Sequence, residues 1–345
     1  MFKTISAVNL DDDKQIAQYT DWVKIHSKSL LFHSLPWLDF ICREHKGALH
    51  VYSIKINDEI CGYWPFITVR KGPFRLLGSP LRGWLTSRMG PLLFREPLDG
   101  NAKRELIADV KRLCRKEKVA YFETSGALLD EEIMRSAGFS IRYRETWILE
   151  LEENEDRQWE KLHYNCKKNI KNAYKSGIEI KELKDRAFFR PLYELVTQTY
   201  KKKKMTVPFR YERLGYLYDA IATRGQLLFL GAFYKGDFAG GHIWGYDTET
   251  AYAFVSASSP EFSQLRINNL LLWEGIKRFI GMGLKTYDMY GGSRENEGVS
   301  RFKASFGSVY KKEPYFTASF SRIFSGALNF YENYYLKWKN YPSHN

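Results

Sequence analysis

Cysteine is scarce in this chain. Cys42, Cys61, Cys114 and Cys166 stand far apart with no C-x-x-C pair, so neither a disulfide framework nor a zinc knuckle is expected to organise it. Seven histidines are scattered without H-E-x-x-H or any other ligand spacing, and no metal is expected. Long apolar runs are missing too. Residues 227–234 form one of the longest, far below the ~18–20 that a membrane-spanning helix needs. The opening MFKTISAVNLDDDK has neither a long apolar run nor a small-residue cleavage site, so the expected location is the cytoplasm. Gly240 and Gly245 frame no G-x-S-x-G elbow, and no Ser-His-Asp or Cys-His arrangement appears, which disfavours a hydrolase with a covalent nucleophile. No tract is polar or repetitive enough for disorder to dominate.

What is present is a globular composition, 44% apolar and 27% charged, over 345 residues. At about 150 residues per domain that length suits two domains. Lys and Arg number 53 against 40 Asp and Glu, a net charge of +13 that favours an anionic partner: nucleic acid, a phosphorylated substrate or an acidic membrane surface. No acid lies between Glu59 and Glu96, while Arg70, Lys71, Arg75, Arg82, Arg88 and Arg95 gather among glycines and prolines. That segment reads as a basic loop able to hold a phosphate, or as a solvated rim. Lys201, Lys202, Lys203 and Lys204 make a second cluster, and Lys167, Lys171 and Lys175 a third at i, i+4, i+8 on one helical face.

Periodicity and turn residues predict an α/β order. Helices over 11–24 and from Pro36 precede strands 49–56 and 60–69, which Asn57 and Asp58 join as a hairpin. A helix over 102–117, a strand 119–124, a short helix 131–137 and a strand 139–149 complete the first half. The second half opens with one helix over 156–175, closed by Gly177, then a strand 178–182 and helices 186–200 and 210–223. Strands 227–234, 238–246 and 250–257 form an antiparallel meander, followed by a helix 267–282 and a strand 285–290. VYSIKINDEICGYWPF and FLGAFYKGDFAGGHIWGY share a strand, a polar turn and a strand beginning apolar-x-Gly. This points to a duplicated lobe with a ligand cleft between the copies. The expected division is an N-terminal lobe over 1–154 and a C-terminal lobe over 155–345.

A meander, a helix and a strand ending in glycines is the order of the GNAT acyltransferase core. Within it, NNLLLWEGIKRFIGMGLKTYDMYGGSRENEGVSRFKASFG resembles the C-terminal signature of the Fem-type (FemABX) aminoacyltransferases. The matching residues are Leu272, Trp273, Glu274, Gly283, Leu284, Lys285, Tyr287, Asp288, Tyr290, Gly291, Arg301, Phe302, Lys303, Phe306 and Gly307. LHYNCKKNIKNAYKSGIEI also resembles that family's lysine-rich helix. The resemblance implies two tandem GNAT-like lobes with mixed, largely antiparallel sheets. It also implies an aminoacyl-tRNA donor, no separate cofactor, and a peptidoglycan precursor whose amine accepts the amino acid. No extended heptad segment stands in the second half, so the chain resembles the members without a coiled-coil arm. Around Trp37 the chain carries Asp39 where the family has a substrate lysine, and Tyr252 and Phe254 are offered where it has a substrate-binding tyrosine.

Acyl transfer to an amine needs stabilisation of a tetrahedral oxyanion and a proton route to the leaving atom, and it needs no covalent nucleophile. Lys303, between Phe302 and Phe306, is the candidate cation for the developing charge; the alternative is a surface lysine on a strand or loop. Asp288 is a candidate proton acceptor or orienter of the amine, or else caps a turn. Tyr290 is a candidate proton donor to the leaving group, or else packs in the core. Arg301 holds a phosphate or pairs with Glu297 or Glu295. Gly291 and Gly292 let a ligand approach the backbone. Trp37, Tyr252, Phe254 and Phe302 complete the expected substrate contacts.

Three functions compete. The first is a Fem-like transferase taking an amino acid from aminoacyl-tRNA to a cell-wall amine. The second is an acyl-CoA-dependent GNAT N-acyltransferase acting on an amino-sugar or peptide amine of the envelope. Against it, QLRINN stands before the 267–282 helix in place of a glycine-bearing pyrophosphate loop. The third is an RNA- or envelope-binding protein on a degenerate acyltransferase fold. A lipid-linked acceptor would bring transient contact with the inner membrane face.

Overall fold

The computed structural model describes residues 4–25, 31–94, 98–291 and 297–330. The chain forms two compact units. Residues up to Tyr143 and the segment from Pro314 make the first, and Arg144–Glu313 the second. The expected division at 154/155 thus differs from the observed one, and the C-terminal segment from Pro314 belongs with the first unit. Both crossings occur inside strands, where no change of composition marks a boundary.

The first unit contains β1 (Ile5–Ala7), α1 (Asp13–Ile25), α2 (Leu35–His45), β2 (Ala48–Ile56), β3 (Glu59–Lys71), β4 (Phe74–Ser79), β5 (Leu92–Leu93), α3 (Gly100–Lys116), β6 (Tyr121–Thr124), α4 (Glu131–Ser136) and the start of β7 (Ser140–Glu150). Its strands run β1-β2-β3-β4-β6, with β4 and β6 parallel. Strand β4 lies where the sequence predicted a basic loop. Lys71 pairs with Phe74 across a turn in which Gly72 takes φ +58°, and Leu76 and Leu77 are buried. Asp99 caps α3 by accepting from the Ala102 N–H at 2.7 Å, and Leu106, Ile107, Val110 and Leu113 turn one face of that helix into the core.

The second unit continues through α5 (Glu155–Lys161), α6 (Tyr164–Lys175), β8 (Glu179–Glu182), α7 (Phe189–Lys202), α8 (Glu212–Ile221), β9 (Leu227–Tyr234), β10 (Asp237–Tyr246), β11 (Thr250–Ser258), α9 (Ile267–Gly281), β12 (Thr286–Asp288), α10 (Glu297–Ala304) and most of the first half of β13 (Val309–Ser319). After β13 the chain ends, in the described residues, with α11 (Arg322–Phe330). The predicted helix over 156–175 is two helices. Leu162 is extended and buried, and His163 caps α6 with its ring nitrogen accepting from the Asn165 N–H at 3.2 Å. No glycine or proline announces that break.

The meander β9-β10-β11 forms as its short turns predict, and β8 adds to β9. Its β9–β10 turn places Lys235 and Gly236 at positive φ, and the β2–β3 turn does the same with Asn57 and Asp58. The two hairpins that look alike in sequence therefore turn alike. Helix α9 is apolar nearly all round, and ten of its residues, from Ile267 to Phe279, are buried. The seven apolar ones among them, Gly275 aside, join Trp244, Tyr287 and Phe306 in the core of this unit.

Candidate active site

Strands β11 and β12 run parallel over three pairs only: Thr250 with Thr286, Ala251 with Tyr287 and Tyr252 with Asp288. Beyond Tyr252 no described strand pairs with that edge of β11, which continues to Ser258. The open edge leaves backbone N–H and C=O groups able to bind an extended ligand. Tyr252 and Phe254 project from the same face of β11, two residues apart, with parallel rings 6.5 Å between centroids. The Tyr290 ring meets Tyr252 edge-on at 6.4 Å and lies tilted to Phe254 at 6.1 Å. Tyr252 is buried and its hydroxyl donates to Asp247 at 2.8 Å, so it enters this aromatic wall by its ring and not by a free hydroxyl.

Lys303 lies on α10, not on a strand or loop, and is 8% exposed. The helix turns Lys303 inward, and in the turn that follows it Phe306 is buried and Gly307 takes φ +87°, a conformation that glycine adopts without strain. The ammonium donates to the carbonyls of Met289 at 2.9 Å, Tyr290 at 2.6 Å and Gly291. Three donors meet three acceptors, which offsets the desolvation of a buried charge. Burial pulls its pKa down to about 8, against the opposing pull of the Asp288 carboxylate.

Asp288 is 2% exposed and accepts from the Thr146 hydroxyl and from the Tyr290 N–H at 2.9 Å. Its other oxygen lies 3.6 Å from the Arg144 guanidinium, which also pairs with Glu313. Burial works to lower the Arg144 pKa, and the carboxylates of Asp288 and Glu313 more than offset it, so the guanidinium stays charged. Arg144 also lies 5.7 Å from the Tyr290 ring centroid, within cation–π range. Arg144, Thr146 and Glu313 escaped the sequence reading. They sit on strands flanking the signature run, and a lone charged residue on a strand carries no motif.

The structure therefore brings Asp288, Tyr290, Gly291, Lys303, Tyr252 and Phe254 together in one unit. Phe302 is half-buried beside this cluster, its ring 5.3 Å from that of Phe306. Arg301 points the other way, 80% exposed, and pairs with Glu297 at 3.7 Å, one of its two expected roles. Trp37 belongs to the first unit and is wholly buried, donating its indole N–H to Thr86 at 3.0 Å. Asp39 is an exposed partner of Arg43. Gly292 lies outside the described residues, as do Glu295 and Arg95. Of the basic segment, Arg75 pairs with Glu117 at 2.9 Å and Arg82 lies 3.7 Å from Glu123. Among the described residues no cluster of His, Cys, Asp or Glu could hold a metal ion, and no helix is long and apolar enough to cross a membrane.

Residues 160–304 match the family model described as "Acetyltransferase (GNAT) domain". Among solved structures the chain is similar to FemX, with a TM-score of 0.73 and 13% identity over 90% of this chain and 98% of that one. A tandem GNAT protein from the clavulanic acid biosynthesis pathway matches at a TM-score of 0.57 and 12% identity, over 91% of this chain and 98% of that one. The C-terminal domain of a putative lysylphosphatidylglycerol synthetase from Agrobacterium fabrum matches at 0.55 and 11%, over 91% of this chain and 94% of that one. No curated protein matches in sequence. The fold expected from the resemblance is the one observed. Residues 160–304 thus match a GNAT acetyltransferase domain within a Fem-like tandem GNAT fold, and the chain is an acyltransferase.

Proposed function

We propose that the chain transfers an amino acid from aminoacyl-tRNA to an amine of a peptidoglycan precursor. The observation that carries this reading is the burial of the Lys303 ammonium, in the Fem-like Phe-Lys-x-x-Phe-Gly run, against the turn that presents Tyr290 at the open edge of β11. The likeness to FemX supports the donor, and the likeness to a putative lysylphosphatidylglycerol synthetase domain supports an acceptor in the cell envelope. The net charge of +13 suits an RNA donor.

In this reading the ester carbonyl of the donor lies against the wall of Tyr252, Phe254 and Tyr290. A neutral amine attacks it, the C–N bond forms and the C–O bond to the ribose breaks. The Tyr290 phenol protonates the departing oxygen and regains a proton from the new ammonium through water. Arg144 stabilises the transient phenolate. Lys303 places a fixed positive charge behind the turn, and Asp288, both oxygens committed, positions Arg144 and the Tyr290 backbone.

A second reading, acyl-CoA as donor to an amino-sugar or peptide amine, is favoured by the GNAT domain match. The segment before α9 weighs against it: Arg266, not glycine, takes the left-handed position there, at φ +58°. Purified protein incubated with charged tRNA or acyl-CoA and candidate amines decides between them by acceptor-dependent loss of each donor. Consumption of acyl-CoA alone reverses the ranking.

A further inference from the structure

The outward face of α6 carries Tyr164, Lys168, Lys171 and Lys175 in a line at i, i+4, i+7 and i+11. At 100° per residue these four fall within a stripe about 60° wide, opposite the buried Cys166, Ile170 and Ala173. The three lysines are exposed, and Tyr164 is 72% exposed. Residues 162–178 contain no acid, and no described carboxylate pairs with any of the three lysines. Lys167, which the spacing in sequence placed on this face, is half-buried and donates to the Glu160 carbonyl at 3.1 Å. The stripe starts beside the end of α10, the helix that carries Lys303. His163 N–H donates at 2.9 Å to the carbonyl of Ser305, two residues beyond Lys303, and Tyr164 follows His163 directly. From there α6 leads away for about 18 Å at 1.5 Å per residue.

We infer that this face is the track for the single-stranded 3′ end of the RNA donor, with Lys168, Lys171 and Lys175 on successive phosphates and Tyr164 under a terminal base. The inference rests on the aminoacyl-tRNA reading and deepens it. One cation per helical turn without counter-carboxylates suits a regularly spaced polyanion, and an exposed ring at the end beside α10 suits a stacked base. The choice of RNA over an anionic bilayer follows from the shape of the face. It is a narrow line with one exposed ring, Tyr164, at the end beside α10, and the other exposed ring of the helix, Tyr174, lies off the stripe with its hydroxyl on Glu274.

The test is fluorescence anisotropy of labelled deacylated tRNA with the full chain, over a range of salt concentrations. The combined variant Lys168→Ser, Lys171→Ser, Lys175→Ser should weaken binding tenfold or more and reduce the logarithmic salt slope by about 2, three phosphates at roughly 0.7 each. Tyr164→Ala should weaken binding of intact tRNA about tenfold and have little effect on tRNA lacking its single-stranded 3′ tail. Circular dichroism checks that the variants fold. Unchanged affinity and slope in the lysine variant would overturn the inference while leaving the donor assignment standing if charged tRNA is still consumed. Loss of binding to phosphatidylglycerol vesicles with tRNA binding intact would make the face a membrane contact instead, and overturn it too. If the wild-type chain binds no tRNA, the inference and the donor assignment fall together.

Discussion

Lys303 donates to the carbonyl of Tyr290 at 2.6 Å, and Tyr290 holds φ at +55°, a left-handed conformation that a bulky residue adopts only under constraint. The two facts belong together. Three carbonyls drawn to one ammonium fix the peptide planes on both sides of Tyr290, so the phenol keeps its place at the edge of β11.

Lys303→Met should lower turnover on the order of 100-fold or more while leaving KM for the donor largely unchanged, because the charge acts on the transition state and on the turn. Steady-state kinetics with each donor check this. Near-normal turnover would remove Lys303 from the mechanism.

The same lysine sets a pH dependence. Its folded pKa of about 8 lies below the ordinary lysine value, so the unfolded chain binds more protons between the two and stability should rise with pH across that window. Turnover should move the other way, falling above about pH 8 as the neutral amine loses its charge and one of its three donors. Denaturant titrations and rate profiles at matched pH separate the two trends, and Lys303→Met should lose both.

Tyr290→Phe keeps the ring beside Tyr252 and Phe254 and removes only the hydroxyl. If the phenol hands its proton to the leaving oxygen, kcat should fall by about 10²–10⁴. A donor with a better leaving group should recover part of that loss, an outcome that a packing defect would not produce.

Asp288→Asn leaves the Arg144 guanidinium facing Glu313 alone and replaces an acceptor with an amide among donors. Breaking a buried pair of this kind lowers stability by about 3 kcal/mol. Urea midpoints at constant m-value measure it, and a change below about 1 kcal/mol would mean that Glu313 carries the arginine unaided.

Local patterns in the sequence determined much of this protein. Alternation and short polar turns specified the two hairpins, the stretch 267–282 specified a helix, and the resemblance of the run from Leu272 to Gly307 to the Fem-type signature singled out Asp288, Tyr290 and Lys303. Tertiary structure decided what those residues touch. The inward face of α10 depends on Phe306 entering a core built by distant strands, and only that placement takes Lys303 to the carbonyls of 289–291 while leaving Arg301 in solvent. The break between α5 and α6, the partnership of Arg144 with Asp288 and the return of the C-terminal segment to the first unit rest on contacts between residues far apart in the chain. Periodicity records which face of an element is apolar, and says nothing of which partner that face will meet.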